Sequence, residues 1–263
     1  MKLVILGDSH TVTLGLGLQL LIEDAALDAA DDVRAMKVLS SPLVLDPFFD
    51  ASGGEVRFLD EDARAALCDL IGHDRFTTGD ADTVFAFSLG FAVQILLTWP
   101  DWRKFTSWID DDAGRQLVSN SVIRAMALDH FRHVLEFYRE VRALGLPCLA
   151  VSAPPLMQGD RWFPADVRPE VLLHFDLMMR SAVSGALARI GVPTVDTPES
   201  VHFNADRQSW RRREFGSYKG EADSVHANAE FGRLMVSRII AAAKSLAPLA
   251  GSTPRLAAAR DRR

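Results

Sequence analysis

The sequence predicts an α/β fold, a mainly parallel sheet with helices packed on both of its faces. Three observations lead there. Short apolar runs of strand length alternate along almost the whole chain with longer stretches of helical periodicity. Those runs are continuously apolar, as a strand covered on both faces requires. A chain of 263 residues with 48% hydrophobic content can bury one core of ordinary size.

The first run, residues 3–6, reads as a short buried strand ended by Gly7 and Asp8. Residues 11–30 are helical, because Leu14, Leu18, Leu21, Ile22 and Ala25 recur at helical spacing. Residues 36–39 form a second strand. Residues 40–54 hold Pro42, Pro47 and the pair Gly53-Gly54, and read as loop. A helix is expected over residues 61–71. Residues 83–89 (TVFAFSL) are β-branched and aromatic and are stopped by Gly90, so they form another buried strand. Residues 99–114 are irregular, aromatic and acidic. Residues 119–144 carry Val122, Met126, Phe131, Leu135, Tyr138 and Val141 near one stripe and read as one long amphipathic helix, ended by Gly145 and Pro147. Residues 148–152 form a strand broken by Pro154 and Pro155. Residues 167–190 are helical, closed by Gly191 and Pro193. Residues 192–195 form a short strand, and Asn228 stands as the N-cap of a last helix bearing Phe231, Met235, Ile239 and Ile240.

One domain over residues 1–249 is expected, followed by a disordered tail at 250–263 rich in Gly, Ser, Thr, Pro and Arg. The net charge of −6 gives no reason to expect nucleic acid or an anionic membrane as partner. No run approaches the ~18 apolar residues of a membrane span, and the first residues lack the pattern of a signal peptide. Cys68 and Cys148 have no metal-ligand spacing and read as free thiols, which with the preceding points suggests the cytoplasm.

Ligands of an open parallel sheet bind beyond the carboxyl ends of its strands. Ser9 stands at that edge and also at the start of a helix, where free N–H groups and the helix dipole favour developing negative charge. A serine so placed can attack a carbonyl, and its own N–H can help hold the oxyanion. Asp and Ser are also common helix N-caps, so the turn by itself admits a purely structural reading. A serine nucleophile needs a base. Near the other end, EADSVHANAEFG sets Asp223 three residues before His226, just ahead of the last helix. A loop at that spacing can bring the imidazole to the serine while the carboxylate orients the ring from its other nitrogen.

Gly7-Asp8-Ser9 together with Asp223 and His226 resemble the first and last sequence blocks of the GDSL (SGNH) hydrolases. Asn228, two residues after the histidine and opening the last helix, fits the same ending. The resemblance implies a flavodoxin-like three-layer α/β/α sandwich and hydrolysis of small esters, thioesters or O-acetyl groups through an acyl-enzyme. It assigns Ser9 as nucleophile, His226 as base and Asp223 as its orienter. It needs no metal and no cofactor. The oxyanion donors it implies are the N–H of Ser9, a second-block glycine at Gly53 or Gly54, and Gly90 of the third block. That third block normally continues to an asparagine, and Ala92 occupies its position and cannot donate. Gln94, Ser88 and His10 are the polar residues at hand to replace it. Asp8, His10, Trp99 and Arg213 are the candidate substrate contacts, the substrate being a small-molecule ester or acylated sugar. Ala92 also keeps open a rival reading, an SGNH-like binding protein without catalysis or an O-acyltransferase of carbohydrate metabolism. A flavodoxin-like nucleotide binder is disfavoured, because the first turn lacks G-x-G-x-x-G.

The remaining motifs have bland readings. Trp99, Trp102, Phe105 and Trp108 form either a lid or loop packing. Asp110, Asp111 and Asp112 read as a solvated turn, and Arg211, Arg212 and Arg213 as a solvated basic stretch able to meet a phosphate or carboxylate. Tyr218 and Lys219, nearer Asp223, carry the same two readings. His130 and His133 lie three apart on a helix without a completing ligand, and Met178 and Met179 fill core.

Overall fold

Side chains alternate along the central strands, and this sorts the core into two layers. Leu3, Ile5, Val84, Ala86, Leu149 and Val151 join one buried cluster. Their neighbours Val4, Leu6, Phe85, Phe87, Cys148 and Ala150 join the other. The computed structural model describes residues 1–40, 44–109, 114–158, 163, 165–203, 210–218, 221–222 and 225–250.

The elements run β1 (Lys2–Gly7), α1 (His10–Glu23), β2 (Asp32–Lys37), β3 (Phe49–Ser52), β4 (Glu55–Phe58), α2 (Glu61–Ile71), β5 (Phe76–Thr77), β6 (Thr83–Ser88) and α3 (Gln94–Leu97). They continue with β7 (Phe105–Thr106), β8 (Gln116–Leu117), α4 (Asn120–His130), α5 (Arg132–Ala143), β9 (Cys148–Val151), α6 (Pro169–Arg189), β10 (Thr194–Val195), β11 (Ser217–Tyr218), β12 (Glu221–Ala222) and α7 (Ala229–Ala250). The main sheet has the order β10-β9-β6-β1-β2, with every pairing parallel. Counted along that sheet alone, the order is 2-1-3-4-5, the flavodoxin-like arrangement. Helices α1 and α7 cover one face; α2, α4, α5 and α6 cover the other, giving an α/β/α sandwich as expected.

The two faces are built differently. On one, α1 and α7 cross with backbone against backbone: a Cβ on Gly17 would stand 2.0 Å from a Gly232 backbone atom. On the other, Phe137 of α5 is fully buried among Phe48, Phe49, Phe58, Phe76 and Phe87, with ring centroids 5.0–5.8 Å away.

Several expectations need correction. Part of the stretch read as loop is strand: Phe49–Ser52 pairs with Glu55–Phe58 in a three-stranded antiparallel sheet with β5. The single helix expected over residues 119–144 is two, broken at Phe131, whose buried ring meets His130 edge-on at 4.7 Å. No glycine or proline marks that break; tertiary packing overrides the local pattern. Helix α6 is also long and apolar enough, by length and composition, to cross a membrane. Val171, Phe175, Met179, Val183 and Leu187 are nevertheless buried in the core. Of the tail expected at residues 250–263, Ala250 is the last residue of α7 and residues 251–263 lie outside the described residues, as does the acidic run Asp110–Asp112.

Candidate active site

The strand order reverses between β1 and β6, so the crevice at their carboxyl ends is where such a sheet takes a ligand. The two strands pair in register, Gly7 opposite Ser88. Gly7 is required there, because a Cβ would stand 2.4 Å from the Ser88 carbonyl oxygen. The first turn leaves β1 directly into α1. Asp8, 2% exposed, makes the cap: its Oδ1 accepts the His10 N–H at 3.0 Å, and its carbonyl accepts the Thr11 N–H at 3.0 Å. Ser9 holds the N-cap position, yet its side chain makes no capping hydrogen bond. The structural reading of Ser9 as a cap is therefore not met. The neighbouring carboxylate does that work, and the half-buried hydroxyl is left over.

The far end of the chain comes to the same place. Thr13 donates its hydroxyl to the Ala227 carbonyl at 2.9 Å, both groups buried. Asn228 caps α7 as expected, its Oδ1 accepting the Phe231 N–H at 3.0 Å, and its Nδ2 donates to the Glu214 carbonyl at 2.7 Å. Immediately before these fixed points His226 is half-buried, with its ring 5.3 Å from that of His10 and tilted by 46°. His10, 4% exposed, meets Gln94 of α3, Nε2 to Nε2, at 3.1 Å. Three polar side chains from distant segments, His10, Gln94 and His226, thus converge beside the first turn. Asp223 and Lys219 lie outside the described residues.

The third-block resemblance sets its asparagine position at Ala92. Ala92 is 8% exposed in the turn after β6, and Gln94, 6% exposed, follows two residues later. The Gln94 Oε1 is buried without a hydrogen-bond partner among the described residues. Tyr138 anchors the exit of β6, its hydroxyl donating to the Phe87 and Leu89 carbonyls at 3.0 and 3.3 Å. Burial raises that phenol well above its ordinary value, so it stays a donor.

Gly53 and Gly54 are the exposed two-residue turn of the β3–β4 hairpin, with φ of +63° and +80°. Positive φ at both central residues is what such a turn demands, so the turn itself accounts for the pair. The segment following β2 at the crevice is instead residues 38–40: Val38 and Leu39 both donate to the Gly7 carbonyl, at 2.9 and 3.1 Å, and Ser40 comes next. Gly90 has φ of +90°, and a Cβ there would press on Val134 at 3.2 Å. Trp99 is 43% exposed and packs edge-on against His130 at 6.0 Å. Trp102 is buried, donating to the Leu96 carbonyl and lying 4.6 Å from Phe175.

The basic stretch is not uniformly solvated, as it was expected to be. Arg211 is fully buried and its N–H donates to the Leu156 carbonyl at 2.7 Å. Arg212 pairs with Glu214 at 2.7 Å, and Arg213 is exposed in a short helical turn. Cys148 is buried and its thiol is pushed up to about 12 by desolvation, which makes it inert. Among the described residues no group of three or more His, Cys, Asp and Glu side chains is set to hold a metal.

No family model matches the chain, and comparison with curated proteins gives no match. Solved structures do resemble it. An acetyl xylan esterase aligns over 92% of this chain and 99% of its own at 10% identity, with a TM-score of 0.46. A GDSL-like lipase from Bacteroides thetaiotaomicron covers 93% and 88% at 10% identity, with a TM-score of 0.45. The aryl esterase of M. smegmatis covers 94% and 100% at 16% identity, with a TM-score of 0.44. Likeness at this level says nothing of activity. The chain itself is an α/β/α protein of flavodoxin-like strand order in which Ser9 and His226, from the two motifs that resemble the GDSL blocks, approach the same sheet edge.

Proposed function

We propose that this protein is a serine hydrolase of small esters or O-acetyl groups. The observation that carries the reading is the convergence of the Ser9 turn, His10 and His226 at the switch point, with the serine hydroxyl not used as a cap. Ser9 attacks the ester carbonyl. His226 takes the hydroxyl proton and returns it to the leaving alkoxide, and Asp223 orients the imidazole. Water then attacks the acyl-enzyme, with His226 again as base.

The oxyanion needs donors aimed at one point. The N–H of Ser9 is the first. The second is the N–H of Ser40, adjacent to the two amides that bond the Gly7 carbonyl on the same edge. The Gln94 carboxamide supplies the third in place of the absent asparagine side chain. It is one methylene longer and starts two residues later, and its contact with His10 keeps it beside the first turn. An acylated sugar or another small ester is the substrate class. The free thiols, one of them exposed at Cys68, fit a reducing compartment such as the cytoplasm.

A fluorophosphonate probe and a p-nitrophenyl acetate assay test this directly. The parent protein labels and hydrolyses, while Ser9→Ala does neither and His226→Ala labels poorly. Parent protein that stays unlabelled across the pH range would instead favour the binding-protein reading, for which Ala92 speaks.

A further inference from the structure

Two strands away from Ser9, a cavity of about 580 Å³ opens between α6 and the carboxyl ends of β9 and β10. None of Ser9, His10, Gln94 and His226 lines it. Asp176 forms part of its wall. This residue is 2% exposed, and its Oδ2 accepts from Arg180 Nε at 2.8 Å. Its Oδ1 is buried with no hydrogen-bond partner among the described residues. Burial pushes the carboxyl up from its ordinary value, although the Arg180 guanidinium pulls the other way. A buried acceptor left without a donor is costly, and native proteins seldom carry one without a reason.

Arg180 is not available to grip an anion. Its Nη1 donates to the Ala153 carbonyl at 2.9 Å and its Nη2 to the Pro154 carbonyl at 3.0 Å, so it is committed to the loop leaving β9. The permanently charged groups of the wall balance, Arg124 and Arg180 against Asp176 and Asp196, and His174 and His202 line it as well. At the mouth Trp108 is 68% exposed, set edge-on to His174 at 5.8 Å. The site therefore combines an acceptor seeking a donor, balanced permanent charges, and an aromatic plane open to solvent. A neutral polyol with one apolar face meets all three demands: its hydroxyl satisfies Asp176 Oδ1 and its C–H face lies on the indole.

We propose that this cavity is a binding site for a neutral sugar ring, separate from the serine centre. The site stands or falls independently of Ser9 chemistry. The test uses the full chain carrying Ser9→Ala, so that no turnover intervenes, and titrates methyl β-D-xyloside, methyl α-D-glucoside and methyl β-D-galactoside. Binding is read by saturation-transfer NMR and by tryptophan fluorescence. At least one glycoside is expected to bind saturably. Trp108→Ala, a surface change that leaves the core intact, should weaken it about tenfold, equivalent to ~1.4 kcal/mol. Asp176→Asn should weaken it further, and both changes made in the Ser9 parent should leave fluorophosphonate labelling unaltered. No saturable binding by any of the three, or binding untouched by both substitutions, overturns the proposal. So does a site that takes inorganic phosphate instead and loses it with Arg124→Ala.

Discussion

The two faces of the sheet solve the packing problem in opposite ways. The α4–α5–α6 face is filled by large rings, with Phe137 at the centre of five phenylalanines. The α1–α7 face is closed by absence of side chain, with Gly17 lying against Gly232. A ring cluster distributes its contacts over many partners and tolerates small adjustments. A backbone-to-backbone crossing fixes one distance. The proposed site borrows its geometry from the second kind: α1 begins immediately after Ser9, and α7 begins three residues after His226. On the proposed reading, the ring-filled face supplies stability, while the α1–α7 crossing sets the spacing between the Ser9 and His226 segments.

Substitutions at the centres of the two faces break this comparison apart. Phe137→Ala should cost the most stability, about 3–5 kcal/mol by denaturant titration, from lost burial and a residual void. Its kcat/KM, measured where the variant is still folded, should stay near that of the parent. Gly17→Ala should cost less, about 1–3 kcal/mol, by forcing the helices apart. Its activity should nevertheless fall by about 10²-fold at full folding, because a misplacement on the order of 1 Å suffices for that. If Phe137→Ala proves the more damaging to activity, the division of labour between the faces is wrong. The smallest effect is one of pH. Burial depresses the His130 imidazole below its ordinary value, with Arg132 adding to this and Asp129 opposing it. A base whose folded value is depressed contributes stability that is present above the unfolded value of about 6.5 and is lost as pH falls through the folded one. Urea midpoints of the parent should therefore drop on acidification below that point, and those of His130→Gln should drop less.

Much of this architecture was legible in the sequence. Continuous apolar runs such as LVIL and TVFAF identified strands covered on both faces, and the two motifs at the chain ends pointed to one edge. Helix α2 and the Asn228 cap were readable because local signals, Asp60 before Glu61 and Asn228 before Ala229, agree with the tertiary outcome. What was not legible depends on partners remote in sequence. The break at Phe131 carries no local mark. The hairpin β3–β4 hid behind prolines, although Gly53-Gly54 flanked by Phe49 and Phe58 was the available signal. Arg211 sits among arginines in the sequence and is fully buried in the fold. Nothing in the sequence singles out Asp176 on its apolar helix, and only the fold reveals that its Oδ1 has no donor among the described residues.

The hydrogen bond from Thr13 to Ala227 joins residues 214 positions apart. A polypeptide still emerging from the ribosome can complete β1, present its serine and even wind α1, but nothing then lies across that helix. The imidazole arrives together with the last helix, and the crossing admits it only in its final seat. Under the proposed mechanism, the serine therefore gains its base only once α7 has been made, and until then the nucleophile is unarmed.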